Sequence, residues 1–120
     1  GHGLAKVDSH FSTPYINKSL QYLLKNDFKA FKNKNSFFAM TGHLIFNQID
    51  KDNTVTHSRK MINIIRKKIG FKNLLISDDL SMKSLKKGLK INTIDTFKAG
   101  CNLALHCNGK LKDFYNQLFF

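Results

Sequence analysis

The sequence predicts an α/β fold in which parallel strands alternate with covering helices. Stretches with apolar residues at helical spacing alternate with short apolar runs along the 120 residues. The run Leu74–Ile76 is continuously apolar, as in a strand buried on both faces, and it is followed by Ser77, Asp78 and Asp79. Acidic groups directly after a parallel strand are typical of (β/α)8 barrels, whose functional side chains follow the strands. Such a barrel needs about 250 residues, so this chain is long enough for half of one.

Residues 1–17 are predicted to form a loop that is rich in glycine, serine and threonine. A Gly-His-Gly turn at residues 1–3 is followed by the triplet Asp8-Ser9-His10. Asp8 and His10 are two positions apart, so in an extended loop both side chains point the same way. The carboxylate can then orient the imidazole and raise its basicity. The triplet alone is weak evidence, and a Gly-His-Gly occurs in many turns. The triplet becomes strong evidence in combination with the Ser-Asp-Asp stretch at residues 77–79.

Two helices and two strands are predicted over residues 16–77. Residues 16–33 carry leucines and phenylalanines at helical spacing, and residues 36–41 form an apolar strand that is followed by Gly42 and His43. Ser58 is a suitable N-cap for a helix over residues 58–69, and Gly70 ends that helix. The strand at residues 74–77 follows directly.

The rest of the chain repeats the same alternation. A basic loop over residues 81–92 contains Met82, and a short helix is predicted at residues 93–99, a strand at 102–106 and a last helix at 111–118. Alternating helices and strands favour a parallel sheet. The chain shows no internal repeat, low-complexity tract or linker. We therefore expect residues 1–120 to be one unit, the C-terminal half of a barrel whose N-terminal half is absent.

The strong positive charge raises the alternative of a nucleic-acid partner. The formal net charge is +12, from 20 Lys and Arg against 8 Asp and Glu. Only Arg59 and Arg66 are arginines, the side chain that reads phosphates and bases in bidentate fashion. The lysines are spread over all predicted elements without an aromatic stacking platform. A solvated basic surface is the favoured interpretation, and no nucleic-acid partner is expected.

Cysteine usage and hydropathy limit the class further. Cys101 and Cys107 flank an apolar run, and on one strand they would lie too far apart to form a disulfide. They are interpreted as reduced, buried thiols of a cytoplasmic protein. No segment approaches the roughly 18 apolar residues of a membrane span, so no membrane partner is expected. The five histidines do not have the spacing of metal ligands, so no metal site is expected.

Two stretches carry a resemblance to a known family. Residues 64–82, which comprise the helix end, Gly70, the apolar strand and Ser-Asp-Asp, resemble the nucleophile region of glycoside hydrolase family 3. Its bacterial β-N-acetylglucosaminidases, which act on peptidoglycan fragments, are the most similar. Residues 1–10 resemble the long catalytic loop of the same enzymes, and the resemblance extends over essentially the whole chain. One departure is Asn73, where the family usually has Gly; Asn tolerates the left-handed backbone that this turn is expected to need.

The resemblance implies an activity and roles for five residues. The activity is removal of a terminal β-linked N-acetylglucosamine from muropeptides during cytoplasmic peptidoglycan recycling, with retention of configuration and without a cofactor. Asp78 would be the nucleophile that forms a glycosyl-enzyme, His10 the general acid/base, and Asp8 the group that holds His10. His43 would line the sugar pocket, and Met82 would contact the sugar.

Simpler interpretations of the same residues remain open. His43 can be a hydrogen-bonded loop histidine, and Met82 a core or loop methionine. The acids after the strand can cap the next helix. The whole chain can be a degenerate, non-catalytic barrel or a basic protein that binds anions or nucleic acid. The family's Lys-His pair, which precedes the Gly-His-Gly turn, and its other sugar-binding residues are not in this chain, so the expected partners are a carbohydrate substrate and the other half of the barrel.

Overall fold

The computed structural model describes residues 2–118 as two small parallel sheets covered by short helices. Strand β1 (Tyr15–Ile16) pairs with β3 (Ile45–Phe46), and strand β2 (Phe38–Met40) pairs with β4 (Leu74–Ile76). Both pairings are parallel, so the connections between paired strands are crossovers that contain helices. This arrangement confirms the predicted α/β class with parallel strands.

The helical elements are short and lie in the connections. The α-helices are α1 (Leu20–Lys25), α2 (Arg59–Ile64), α3 (Leu89–Ala99) and α4 (Leu111–Leu118). Single 3₁₀ turns span Phe28–Phe31 and Val55–His57, and α2 continues as a π-helical turn over Ile65–Ile69. Ser58 caps α2 through a bond from the Met61 N–H to its hydroxyl, at 3.1 Å, as the sequence predicts. None of the helices in the described part of the chain is long and apolar enough to cross a membrane.

The predicted helix over residues 16–33 is divided into three pieces. Ile16 belongs to β1, because the Asn47 N–H donates to its carbonyl and fixes it in the sheet. Helix α1 begins only after Ser19, whose hydroxyl accepts the Tyr22 N–H. It ends at Asn26, whose backbone is not helical, and the remaining phenylalanines fall in a separate 3₁₀ turn. The helical spacing of apolar residues continues through α1 and the 3₁₀ turn, so the sequence pattern did not reveal the interruption between them.

The predicted strand over residues 102–106 is reduced to one bridge between Ile76 and Leu103. Side chains replace part of the strand ladder: the Leu75 N–H donates to Asn102 Oδ1 and the Leu105 N–H donates to Ser77 Oγ. Helix α3, in contrast, is longer than predicted, since it begins at Leu89 rather than at residue 93.

Arg66 and Asn73 join the start of β4 to its neighbours. The Arg66 guanidinium donates to the carbonyls of Phe71 and Asn73 and to Asn102 Oδ1, at 3.2, 2.6 and 2.6 Å. The left-handed backbone expected at Asn73 is wrong, since the one described non-glycine residue with a positive φ is Asn33. Asn73 instead donates its side-chain amide to the Ser36 carbonyl at 2.7 Å, an interaction that glycine could not make.

Apolar side chains form two adjoining core clusters between the strands and the helices. The larger cluster includes Leu23, Phe28, Phe46 and Met61, and the smaller one centres on Leu75. The opposite face of β2 and β4 is only partly covered by the described residues. Its side chains are large and apolar and 43–57 % exposed: Phe38, Met40, Leu74 and Leu103. Successive strand residues point to opposite faces, so this is the side that a complete barrel would enclose.

The two cysteines differ in environment, and the expectation that both are buried is wrong for one of them. Both are free thiols; Cys101 is buried in the smaller core cluster, whereas Cys107 is exposed beyond the last bridge. Burial raises the pKa of the Cys101 thiol to about 11, so that thiol stays protonated.

Candidate active site

Asp8 and His10 form a hydrogen-bonded pair on the N-terminal loop. Asp8 Oδ1 accepts both the backbone N–H of His10, at 2.9 Å, and its Nδ1–H, at 2.8 Å. These bonds lower the pKa of Asp8 and raise the pKa of His10 above its ordinary value. Because Nδ1 is engaged, Nε2 remains the ring nitrogen that can exchange a proton with a ligand.

The pair is held by a turn rather than by the extended loop that the sequence analysis assumed. The N–H groups of Phe11 and Ser12 both donate to the Asp8 carbonyl, at 3.1 Å each. Ser9 is 1 % exposed and its Oγ lies 2.8 Å from Nε2 of His2. The turn thus buries the middle residue of the triplet and leaves Asp8 and His10 in solvent-exposed positions on either side.

Asp78 lies two residues after the end of β4 and is half-buried. Its Oδ1 accepts the backbone N–H of Asp79 at 2.8 Å. No group in residues 2–118 donates a hydrogen bond to its Oδ2. The two oxygens therefore differ: one is fixed by the main chain, and the other is available to a substrate.

The carboxylate of Asp79, in contrast, is held by several hydrogen bonds from the protein. Its carboxylate accepts the N–H of Ser81 at 3.0 Å, the hydroxyl of Ser81 at 2.6 Å and the N–H of Cys107 at 3.1 Å. Burial works to raise the pKa of Asp79, but these hydrogen bonds outweigh it and leave the pKa below its ordinary value. The carboxylate joins the loop after β4 to the segment after Leu103. It caps no helix, since the residues that follow are turns.

His43 lies completely buried behind this loop. Its Nε2–H donates to the Asp79 carbonyl at 2.9 Å, and its Nδ1 accepts the hydroxyl of Thr56 at 2.8 Å. Burial lowers the pKa of His43, so the ring is neutral at pH 7. Both ring nitrogens are occupied by protein groups, which favours the alternative of a hydrogen-bonded loop histidine; a contact between His43 and the sugar stays a prediction.

Met82 lies in the turn after Asp79, and its N–H donates to the Asp79 carbonyl at 3.2 Å. Its side chain is 7 % exposed among the described residues. The predicted sugar contact of Met82 therefore also stays a prediction.

The structure brings the predicted catalytic residues into one cluster. The negative charges of Asp78 and Asp79 add to the effect of Asp8 in raising the pKa of His10, which places the loop pair within electrostatic reach of the strand end. The same two charges act on His43. Residues 70 positions apart in the sequence thus lie within electrostatic range of each other near the carboxyl end of β4. The described residues contain no group of three or more histidine, cysteine or acidic side chains that could bind a metal.

His106 also lies next to Asp79, although the sequence alone did not indicate it as a site residue. Its side chain is 6 % exposed, and its Nδ1 lies 3.8 Å from Asp79 Oδ1. Neither of its ring nitrogens has a hydrogen-bond partner within residues 2–118. The one sequence signal was its position at the end of the last predicted strand, where a barrel presents functional groups.

A parallel α/β sheet that presents a carboxylate next to a loop Asp–His pair defines a barrel protein with an acid–histidine site at the carboxyl ends of its strands. The chain belongs to glycosyl hydrolase family 3: the family described as "Glycosyl hydrolase family 3 N terminal domain" matches residues 1–119. The predicted family and the predicted fold, part of a (β/α)8 barrel, are both confirmed.

Individual relatives agree with this assignment. A protein named Beta-hexosaminidase from Haemophilus influenzae is 34 % identical over 116 residues, which cover 90 % of this chain and 32 % of the relative. The crystal structure of native NagZ from Neisseria gonorrhoeae is 32 % identical with a TM-score of 0.81, over 100 % of this chain and 36 % of that one. CbsA from Thermotoga neapolitana is 29 % identical with a TM-score of 0.84, over 98 % and 29 %. The chain thus spans about a third of the length of the curated relatives it matches.

Proposed function

We propose that this chain supplies the catalytic residues of a retaining β-N-acetylglucosaminidase. The observation that carries the proposal is the cluster itself: a carboxylate with one free oxygen at the end of β4, next to a His–Asp pair whose histidine keeps Nε2 free. The name of the Haemophilus influenzae relative, Beta-hexosaminidase, supports the specificity. The Neisseria gonorrhoeae NagZ has also been crystallised in complex with N-trifluoroacetyl-D-glucosamine.

In the proposed mechanism Asp78 Oδ2 attacks the anomeric carbon and forms a glycosyl ester. His10, whose pKa is raised by Asp8, donates a proton from Nε2 to the departing glycosidic oxygen. It then accepts a proton from the water that cleaves the ester, which restores Asp78 with overall retention. General acid–base assistance of this kind contributes roughly 10²–10⁴-fold to the rate. A histidine–aspartate pair replaces the second carboxylate that most retaining glycosidases use as the acid.

The substrate, pathway and location form part of the proposal. The substrate is an N-acetylglucosaminyl muropeptide, cleaved during peptidoglycan recycling in the cytoplasm. The unpaired thiols of Cys101 and Cys107 support a reducing compartment. The other half of the barrel is the proposed partner, because it would cover the exposed apolar face of β2 and β4 and supply the remaining sugar contacts.

The test of this function separates Asp78 from Asp79. In the full natural polypeptide, Asp78→Ala should abolish turnover of an aryl N-acetylglucosaminide. A 5-fluoro N-acetylglucosaminide should label the peptide that contains residue 78, and peptide fragmentation should place the label on Asp78. A label on Asp79, or an active enzyme that acquires no label, would contradict the assignment.

A further inference from the structure

A polar cleft lies beside the N-terminal loop that contains Asp8 and His10, and none of the predicted catalytic residues lines it. Its volume is about 320 Å³, and it is bounded by the loop after β3, the loop after β4 and the side chains of Thr13 and Tyr15. This volume is at the small end of the range of ligand sites.

Three buried polar atoms in the wall of this cleft lack a partner. They are Thr54 Oγ1, Ser84 Oγ and Asn92 Oδ1, and none of them has a hydrogen bond within the described residues. The residues are 6, 4 and 2 % exposed. Buried polar groups are normally paired, because an unpaired one loses its hydration without compensation. Three such atoms around one cleft therefore indicate a bound polar group.

The orientation of Asn92 is fixed by its other hydrogen bonds. Its Nδ2 donates to the carbonyls of Lys87 and Leu80, at 2.8 and 3.4 Å. Rotating the amide by 180° would place its oxygen against these two carbonyl oxygens. The buried atom without a partner, Oδ1 of Asn92, is therefore an acceptor and requires a hydrogen-bond donor such as a hydroxyl group.

The charges at the cleft are mainly positive. Lys51, Lys86 and Lys87 line it together with Asp52. Lys87 is neutralised by Asp95, whose Oδ2 lies 2.6 Å from its Nζ. Lys51 and Lys86 form no ion pair with any group in residues 2–118. The two ammonium groups of Lys51 and Lys86 exceed the one carboxylate of Asp52, and this net positive charge favours an anionic ligand over a cation or an apolar group.

We propose that this cleft binds a small hydroxylated oxyanion: Lys51 and Lys86 neutralise its carboxylate or phosphate, and Thr54, Ser84 and Asn92 bind its hydroxyl groups. The site is connected to the catalytic cluster on both sides. The Thr13 hydroxyl, three residues after His10, donates to the Ser84 carbonyl at 2.8 Å. Asn92 reaches Leu80, two residues after Asp78. The anion is either a free metabolite or a group on the leaving side of a glycoside, and both present the same chemistry.

Direct binding tests the site independently of the glycosidase proposal. The probe is glycerol 3-phosphate, with glycerol as the neutral match, titrated calorimetrically into the full natural polypeptide. Saturable binding of glycerol 3-phosphate and none of glycerol is expected. Lys86→Gln and Ser84→Ala should each weaken binding about tenfold, the effect of losing one charge-assisted hydrogen bond. Ser84→Ala removes an unpaired hydroxyl, so this variant should fold like the wild type.

Lys60→Gln is the matched control, because Lys60 is an exposed lysine of α2 outside the cleft. Its binding should equal that of the wild type. The proposal is overturned if glycerol 3-phosphate shows no saturable binding up to about 10 mM, well above the millimolar constants of weak sites. It is also overturned if Lys60→Gln weakens binding as much as Lys86→Gln, since general attraction to a basic surface then explains it.

A kinetic comparison identifies the source of the anion. If the anion is part of the glycoside, glycerol 3-phosphate should compete with substrate, and Lys86→Gln should raise KM for a substrate with a carboxylated leaving group but not for its neutral match. If the anion is a free metabolite, glycerol 3-phosphate should bind without raising KM. Competition that persists undiminished in Lys86→Gln places the binding elsewhere and overturns the site.

Discussion

At the scale of single residues, the site illustrates how two identical, adjacent side chains acquire different chemistry. Asp78 and Asp79 share a sequence context, but three donors saturate Asp79 and one donor reaches Asp78. A carboxylate that is fully hydrogen-bonded is a poor nucleophile, because those bonds stabilise its charge. The environment therefore favours Asp78 for chemistry and Asp79 for structure.

The pH dependence of catalysis should report the Asp8–His10 pair. His10 acts as an acid only while protonated, and its raised pKa extends that range upward. Asp8→Asn removes the carboxylate, so the basic limb of the pH profile of kcat/KM should move to lower pH. The shift should be visible with substrates that have poor leaving groups, measured across pH 5–9. An unchanged basic limb in Asp8→Asn would assign that limb to another group.

The loss of rate caused by removing the proposed acid, His10, should depend on the leaving group of the substrate. A nitrophenolate departs without protonation, whereas a sugar alkoxide does not. We expect His10→Ala to slow disaccharide cleavage by about 10²–10⁴-fold and nitrophenyl glycosides much less. Parallel kcat/KM measurements on the two substrates provide the check, and equal losses on both would exclude His10 as the acid.

Asp79 should contribute to stability in a pH-dependent way. Its pKa is lowered in the folded chain, so its contribution is present above the unfolded pKa of about 3.9 and is lost as pH falls through the folded value. Asp79→Ala should cost about 1–3 kcal/mol of unfolding free energy at pH 7, as expected for lost hydrogen bonds to a charged group. The difference from wild type should shrink on acidification below pH 4. Urea unfolding of the full natural polypeptide at pH 7 and pH 3 measures both effects, and a cost that does not change with pH would contradict them.

At the scale of elements, the features that depend on interactions between sequence neighbours could be predicted, and those that depend on distant contacts could not. Ser58 as a helix cap, Gly70 as a helix stop and the strand at Leu74–Ile76 depend on local chemistry, and the sequence predicts all three. Gly70 has the left-handed φ of 88° that its position requires. The strands Tyr15–Ile16 and Ile45–Phe46 are only two residues long and exist because they pair with each other, so no local pattern announces them.

The same division applies to the site. Asp8, His10 and Asp78 could be predicted as site residues because they belong to recognisable sequence motifs. The roles of His43 and Asp79 depend on contacts 36 positions apart, and that of His106 on contacts 27 positions apart, which spacing does not encode.

Arg66 offers a test of how the elements are joined. Its planar fork serves three acceptors at once, a geometry that the single ammonium of lysine cannot reproduce. Arg66→Lys should therefore lower the unfolding free energy by about 1–2 kcal/mol. Arg59→Lys, an exposed arginine at the start of α2, is the matched control and should change it by less than about 0.5 kcal/mol. Equal effects of the two changes in denaturant titrations of the full natural polypeptide would show that the three hydrogen bonds of Arg66 do not stabilise this junction.

At the scale of the whole molecule, the exposed face of β2 and β4 determines how these 120 residues behave in isolation. Open strand edges and half-buried apolar side chains favour association with other chains. We expect the isolated segment to self-associate, to unfold without a cooperative transition and to show no glucosaminidase activity. Analytical ultracentrifugation, thermal circular dichroism and an aryl-glycoside assay test the three parts. A monomer with a sharp thermal transition would refute the folding claim, and turnover would refute the need for the other half-barrel.

A paired substitution sharpens this test. Phe38→Ser and Met40→Ser place polar groups on the exposed face, where they are 55 and 57 % exposed in this chain. They should make the isolated segment more soluble and destabilise the complete barrel, which buries the same positions. Improvement in both contexts would indicate that the face points to solvent in the whole protein.

The short bond between the Asp79 N–H and Asp78 Oδ1 has a consequence for the timing of the two chemical steps. In the proposed mechanism, once Oδ2 carries the sugar, Oδ1 becomes the carbonyl oxygen of the ester, and its partial negative charge is smaller. When the ester breaks, charge returns to Oδ1, where a main-chain dipole is already aligned and needs no rearrangement. The bond is therefore strongest to the free carboxylate, intermediate in the transition states for forming and cleaving the ester, and weakest in the covalent intermediate. This one peptide group would therefore stabilise the free carboxylate more than the ester, and so disfavour accumulation of the glycosyl-enzyme.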